Sequence, residues 1–181
     1  MSRVRLVFSG SGGQGVITAA IILAEAAVIY AGMNATQSQS YGAAARGGST
    51  RSDIIISDIE INFPEVRQPN VLVCLTQDSY NSYSSIIRPG GILLTDSRFV
   101  KTTRKVDAKQ IELPMYQTVM DEIGKPVVFN ICMLGALISI TEIIRPKSVM
   151  AAIAASVPKD FIELNNQAFD LGMELGAEFT W

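Results

Sequence analysis

Hydrophobic positions fall into two kinds of run. Short, almost continuous apolar stretches occupy residues 4–8, 70–76, 91–95 and 109–113, with more mixed stretches at 34–39 and 50–57. These have the length and content of strands, and 70–76 (NVLVCLT) reads as one buried on both faces of a sheet. Longer segments at 16–31, 77–87 and 127–144, a segment at 147–156 opened by Pro146 and a final one opened by Pro158 and running to 175 predict helices. Gly32 and Pro89-Gly90-Gly91 supply two of the stops. At Ser57-Asp58 the chain turns from 50–57 into 59–63, which predicts an antiparallel hairpin closed by Pro64. Strand and helix alternate, so the fold class is α/β: a Rossmann-like open, mostly parallel sheet with flanking helices, a hairpin and a helical C-terminal third. The 16–31 segment is long enough to raise a membrane span, but its glycine turn and Glu25 favour a helix packed on a sheet. The 127–144 segment (VVFNICMLGALISITEII) must be buried all round, and a mixture of burial under its own domain and against another chain is expected.

Composition narrows the classes of function. At 181 residues the chain is expected to form one domain, 1–181, large enough to bury roughly two thirds of its unfolded surface. Fifteen Lys and Arg against seventeen Asp and Glu give a net charge of −2, with no field suited to nucleic acid or an acidic membrane. A hydrophobic content of 48% with few charges points to apolar surface kept for a partner. The N-terminus lacks a signal-peptide pattern, so a cytoplasmic protein is expected. Cys74 and Cys132, in a predicted strand and a predicted helix, read as buried free thiols, too few for an iron–sulfur cluster. Histidine is absent, which removes the usual zinc ligands, the commonest general base and any Ser-His triad.

Candidate chemistry sits in the first fifty residues. Directly after the first strand comes Gly10-Ser11-Gly12-Gly13-Gln14-Gly15, formally GxGxxG, leading into a helix whose free N–H groups and positive dipole end suit a phosphate or carboxylate. A dinucleotide site also needs an acidic residue at the end of the second strand, yet no Asp or Glu stands between Glu25 and Asp53. A packing corner that holds nothing is the competing reading. In place of the acid stands residues 38–51, SQSYGAAARGGSTR, where Arg46 and Arg51 flank small residues with the hydroxyls of Ser49 and Thr50, and Tyr41 can stack or donate. The same arginines could make inter-chain ion pairs instead. The sheet topology would bring the glycine turn, 76–79 and 96–98 together beyond the strand ends. Asp78, Asp96 and Glu122 lack partners and default to solvated caps and turns.

The pair GSGGQGV and QSYGAAARGGSTRSDIIISD resembles the gamma subunit of 2-oxoacid:ferredoxin oxidoreductases over essentially the whole chain, the 2-oxoglutarate type most of all. Ala43-Ala44 departs from the Pro and Glu often found there, which leaves pyruvate and branched-chain types as alternatives, beside a free-standing nucleotide-binding module and a small homo-oligomeric ligand-binding module. The resemblance implies a subunit of an enzyme that oxidatively decarboxylates a 2-oxoacid, reduces ferredoxin and forms an acyl-CoA. It implies alpha, beta and delta-type partner subunits carrying thiamine diphosphate, magnesium and iron–sulfur clusters, and an isolated chain without activity. Gly10, Gly12, Gly13, Gln14, Gly15, Tyr41, Arg46, Gly47, Gly48 and Arg51 would then form the surface facing the catalytic subunits and coenzyme A, with no catalytic or metal-binding residue on this chain.

Overall fold

The computed structural model describes residues 3–41 and 49–179. Six strands form one sheet: β1 (Val4–Gly10), β2 (Asn34–Tyr41), β3 (Thr50–Ser57), β4 (Val71–Cys74), β5 (Gly91–Asp96) and β6 (Ala108–Leu113), in the order β2-β3-β1-β4-β5-β6. The apolar runs of β1, β4 and β5 make the parallel centre, where Leu6 faces Val71 and Val71 faces Ile92; β6 extends it in parallel. β3 runs antiparallel to β1 and β2, with Gly10 opposite Thr50 and Thr50 opposite Tyr41. The antiparallel hairpin is therefore β2–β3 rather than 50–57 with 59–63. Both edges of β3 are already hydrogen-bonded, so 59–63 has no ladder to join and runs as an exposed connection.

One face of the sheet carries α1 (Val16–Glu25), α3 (Met115–Glu122), α4 (Phe129–Thr141), α5 (Pro146–Ser156) and α6 (Ile162–Gly176) over Leu6, Phe8, Ile54 and Val73. The other carries α2 (Gln77–Tyr83) and loops over Val7, Ile55, Leu72 and Leu93. After Glu25 the first helix widens into a π-helical turn, Ala26–Tyr30, and stops where Gly32 takes φ 65°. No helix of the described residues is long and apolar enough to cross a membrane.

The expected mixture for the apolar 127–144 segment resolves in favour of its own domain. Every residue of α4 except Ser139 is buried, chiefly beneath α6. The two helices approach backbone to backbone through Gly135 and Gly172, where an added Cβ would collide with the carbonyls of Phe169 and Cys132 respectively. Apolar surface is kept elsewhere: Val28, Ile29 and Tyr30 on the π turn, Val127 and Phe161 beside the start of α1, and Ile59 and Phe63 on the β3–β4 connection are all exposed.

Candidate functional site

The glycine turn closes the carboxyl end of β1. Gly13 and Gly15 adopt φ 88° and 71°, the left-handed region that admits glycine without strain. Gly15 is also the residue before α1, and its carbonyl accepts from Ala19 N at 2.9 Å and from Asn130 Nδ2 at 3.2 Å, tying the turn to α4. A Cβ on Gly10 would stand 2.5 Å from Gln14 Oε1 and 2.9 Å from Val16 Cγ2, so the strand end lies tight against the turn, whereas Gly12 faces open space. Gln14 is a brace: Oε1 accepts from Ser11 N at 2.8 Å and Nε2 donates to the Leu75 carbonyl at 3.0 Å.

α1 has no side-chain cap and no acidic residue in its first turn, so its leading N–H groups and positive dipole end are uncompensated. Beside it lies a cleft of about 410 Å³ whose walls include Gly13, Thr18, Val127, Asn130, Pro158 and Phe161. An anionic group on an apolar body matches that combination.

The register Gly10–Thr50–Tyr41 puts the second motif at the same end of the sheet as the glycine turn. Tyr41 is the last residue of β2 and Thr50 the first of β3; the expectations for Arg46, Gly47, Gly48 and the Tyr41 side chain fall outside the described residues. Arg51 is engaged within the chain. Its guanidinium pairs with Asp53 at 2.6 and 3.0 Å, donates to the Val66 carbonyl at 2.9 Å and lies 5.2 Å from the centre of the Tyr83 ring. The Asp53 hydrogen bond raises its pKa further, and these bonds anchor the guanidinium within the chain.

Adjacent strand ends also carry 76–79 and 96–98, as the topology requires; Ser79 and Asp96 are buried there, while Asp78, Ser97 and Arg98 are exposed. Thr76 and Ser79 form a capping box on α2. Asp96 is fully buried rather than solvated: it accepts from Arg98 N at 2.9 Å and Tyr116 N at 2.7 Å, serving as the cap that Pro114 cannot provide for α3. Burial pushes its pKa up against those two donors. Cys74 and Cys132 are buried and free, with pKa values pushed up to about 12 by desolvation. Among the described residues no three His, Cys, Asp or Glu gather as a metal site.

Asn130 and the walls Thr18, Val127 and Phe161 were not among the expected site residues. A lone asparagine in an otherwise apolar helix was the available signal for the first. Val127 and Phe161 gave none, because an exposed apolar residue beside a helix start reads as ordinary core.

The dinucleotide geometry is absent as well. β1–α1–β2 skips a strand and β3 returns between them, so the antiparallel β3 occupies the side of β1 where a nucleotide-binding unit would place its next parallel strand. A mostly parallel sheet flanked by helices, with a braced glycine turn at the carboxyl end of β1, defines a Rossmann-like α/β domain. The chain belongs to the pyruvate ferredoxin/flavodoxin oxidoreductase family, whose model matches residues 5–175. It is 43% identical to the 2-oxoglutarate synthase subunit KorC of Methanocaldococcus jannaschii over 97% of this chain and 95% of that protein, and 37% identical to KorC of Methanothermobacter thermautotrophicus over 96% and 95%. The keto/oxoacid ferredoxin oxidoreductase gamma subunit of Geobacter sulfurreducens superposes with a TM-score of 0.87 at 38% identity, covering 97% of this chain and 99% of that one. The same fold recurs, at 21% identity and TM-score 0.89, over 99% of this chain within 32% of a chain of the Magnetococcus marinus 2-oxoglutarate:ferredoxin oxidoreductase, a structure with 2-oxoglutarate, coenzyme A and succinyl-CoA bound.

Proposed function

We propose that this chain, as one domain of residues 1–181, is the gamma-type subunit of a 2-oxoglutarate:ferredoxin oxidoreductase, which converts 2-oxoglutarate and coenzyme A to succinyl-CoA and carbon dioxide while ferredoxin takes up the two electrons. The similarity to KorC chains along nearly the full length of both partners carries this reading, because identity to the pyruvate synthase subunit PorC of the same Methanocaldococcus species is only 27%. On this reading thiamine diphosphate, magnesium and the iron–sulfur clusters are carried by the alpha, beta and delta-type subunits.

This chain's own part is assembly and the reception of an anionic substrate. Backbone N–H groups of Gly12 and Gly13 and the uncapped start of α1 would hold a phosphate, with the apolar cleft beside them for the rest of the molecule; coenzyme A has both parts. Arg46, Gly47, Gly48 and Tyr41 complete this surface, and Gln14 and Arg51 position its two halves. The test is anaerobic purification of the complex through a tag on this chain, followed by 2-oxoacid-dependent viologen reduction. Activity with 2-oxoglutarate well above that with pyruvate supports the reading; preference for pyruvate or a branched-chain acid overturns the substrate, and a chain recovered alone overturns the subunit assignment.

A further inference from the structure

At the opposite end of the sheet, where β1, β4 and β5 begin, four arginines meet. Arg3 and Arg5 come from the start of β1, Arg67 from the β3–β4 connection and Arg88 from the turn before β5, and they line one open cleft of about 840 Å³ with Phe63 and Glu65. Glu65 pairs with Arg67 at 3.0 Å, but no carboxylate of the described residues lies within ion-pair distance of Arg3, Arg5 or Arg88. Arg3 Nη2 donates to the Glu60 carbonyl at 3.1 Å, while its Nε is buried with no acceptor at all. A chain with seventeen acidic residues and a net charge of −2 thus leaves three arginines of one cleft without counter-charge. Like charges held together repel, and a buried donor without a partner carries a desolvation cost. The repulsion is relieved by carboxylates from outside.

We propose that this cleft docks a carboxylate-rich segment of a neighbouring subunit in the oxidoreductase complex, a proposal that rests on the reading of this chain as a subunit. Charge complementarity sets the sign of the partner. Its class follows from the rest of the surface. No helix N-terminus lines the cleft to cradle a small anion, whereas Phe63, 80% exposed, stands on the rim and Ile59, 65% exposed, lies next to the Glu60 that Arg3 holds. Arginine with an exposed aromatic residue is the composition of a protein interface core.

The experiment compares complexes purified through a tag on this chain, wild type against Arg5→Glu/Arg88→Glu and Arg5→Gln/Arg88→Gln, scoring partner subunit retained per tagged chain between 50 and 500 mM KCl. Wild type should lose partner as salt rises, the Gln pair should retain less with a flatter salt dependence, and the Glu pair should retain at least tenfold less at low salt. Arg67→Glu, at a side chain 82% exposed, repeats the test should the double variants fail to fold. Unchanged retention and salt dependence in the variants overturns the docking site and leaves the subunit reading intact; a wild-type chain recovered alone overturns both. Stabilisation of the wild-type chain by pyrophosphate, lost in Arg5→Gln/Arg88→Gln with assembly unaffected, overturns the proposal in favour of a small anion.

Discussion

Gln14 Nε2 donates to the carbonyl of Leu75 at 3.0 Å, so the glycine turn after β1 is fastened to the end of β4 by a single side chain. Because Gln14 Oε1 also accepts from Ser11 N, the amide holds the turn in shape and fixes its distance from the neighbouring strand at once.

Replacing Gln14 with Ala removes both bonds and leaves the Leu75 carbonyl, on a fully buried residue, without that donor; the expected loss is about 1–3 kcal/mol. Gln14→Glu should cost more, because a carboxylate oxygen then faces the carbonyl. Denaturant unfolding of the three proteins checks the order, and equal stability of the Gln and Glu forms would show that the brace carries nothing.

The Gly135–Gly172 crossing predicts a position-specific intolerance. Gly172→Ala drives a methyl into the Cys132 carbonyl and to 2.7 Å from Ala136 N, both backbone atoms that cannot step aside without moving a helix. A loss of about 3 kcal/mol or more is expected. Gly12→Ala meets nothing within 4 Å and should change stability by less than about 1 kcal/mol. Thermal unfolding of the pair tests whether close packing, rather than glycine content, decides.

Much of this was legible in the residues. The continuous apolar runs gave the parallel centre, and the two glycine-rich motifs gave the family. What stayed hidden depended on non-local pairing. That 34–41 rather than 59–63 pairs with 50–57 is settled by which edges of β3 are free, a property of the assembled sheet. The π turn at 26–30 has no pattern of its own, and the helix at 115–122 follows Pro114 with a cap borrowed from Asp96, about twenty residues earlier. The anchoring of Arg51 was hidden because its partner, Asp53, sits two residues along the same strand and could equally have faced water.

Asp96 should give the protein an unusual pH dependence. Its folded pKa is raised by desolvation, so the folded state binds the proton more tightly than the unfolded chain, and its contribution to stability is greatest at low pH and falls as pH rises from about 4 through the raised value. Asp96→Asn lacks that fall. The stability advantage of wild type over Asp96→Asn should therefore shrink between pH 4 and pH 7 in denaturant titrations, and an advantage that grows over that range would refute the assignment. Asp96→Ala, which removes the acceptors of both Arg98 N and Tyr116 N, should be destabilised by about 1–3 kcal/mol near pH 4, a deficit that shrinks as pH rises because this variant also lacks the titrating group.

The two thiols offer a readout that needs no substitution. Cys74 and Cys132 are buried with pKa values pushed up to about 12, so the thiolate that reacts with iodoacetamide is scarce in the folded protein and present at a few per cent in an unfolded chain near neutral pH. At pH 8 the native chain should resist alkylation over hours, and both cysteines should label together when denaturant unfolds the core, since one lies on each face of the same sheet. The sign with pH follows from the same shift: stability holds below about 8.5 and declines above it, because only the unfolded chain releases those protons. Labelling of Cys132 before Cys74 in low denaturant would instead show that the layer of α4 and α6 opens ahead of the opposite face of the sheet.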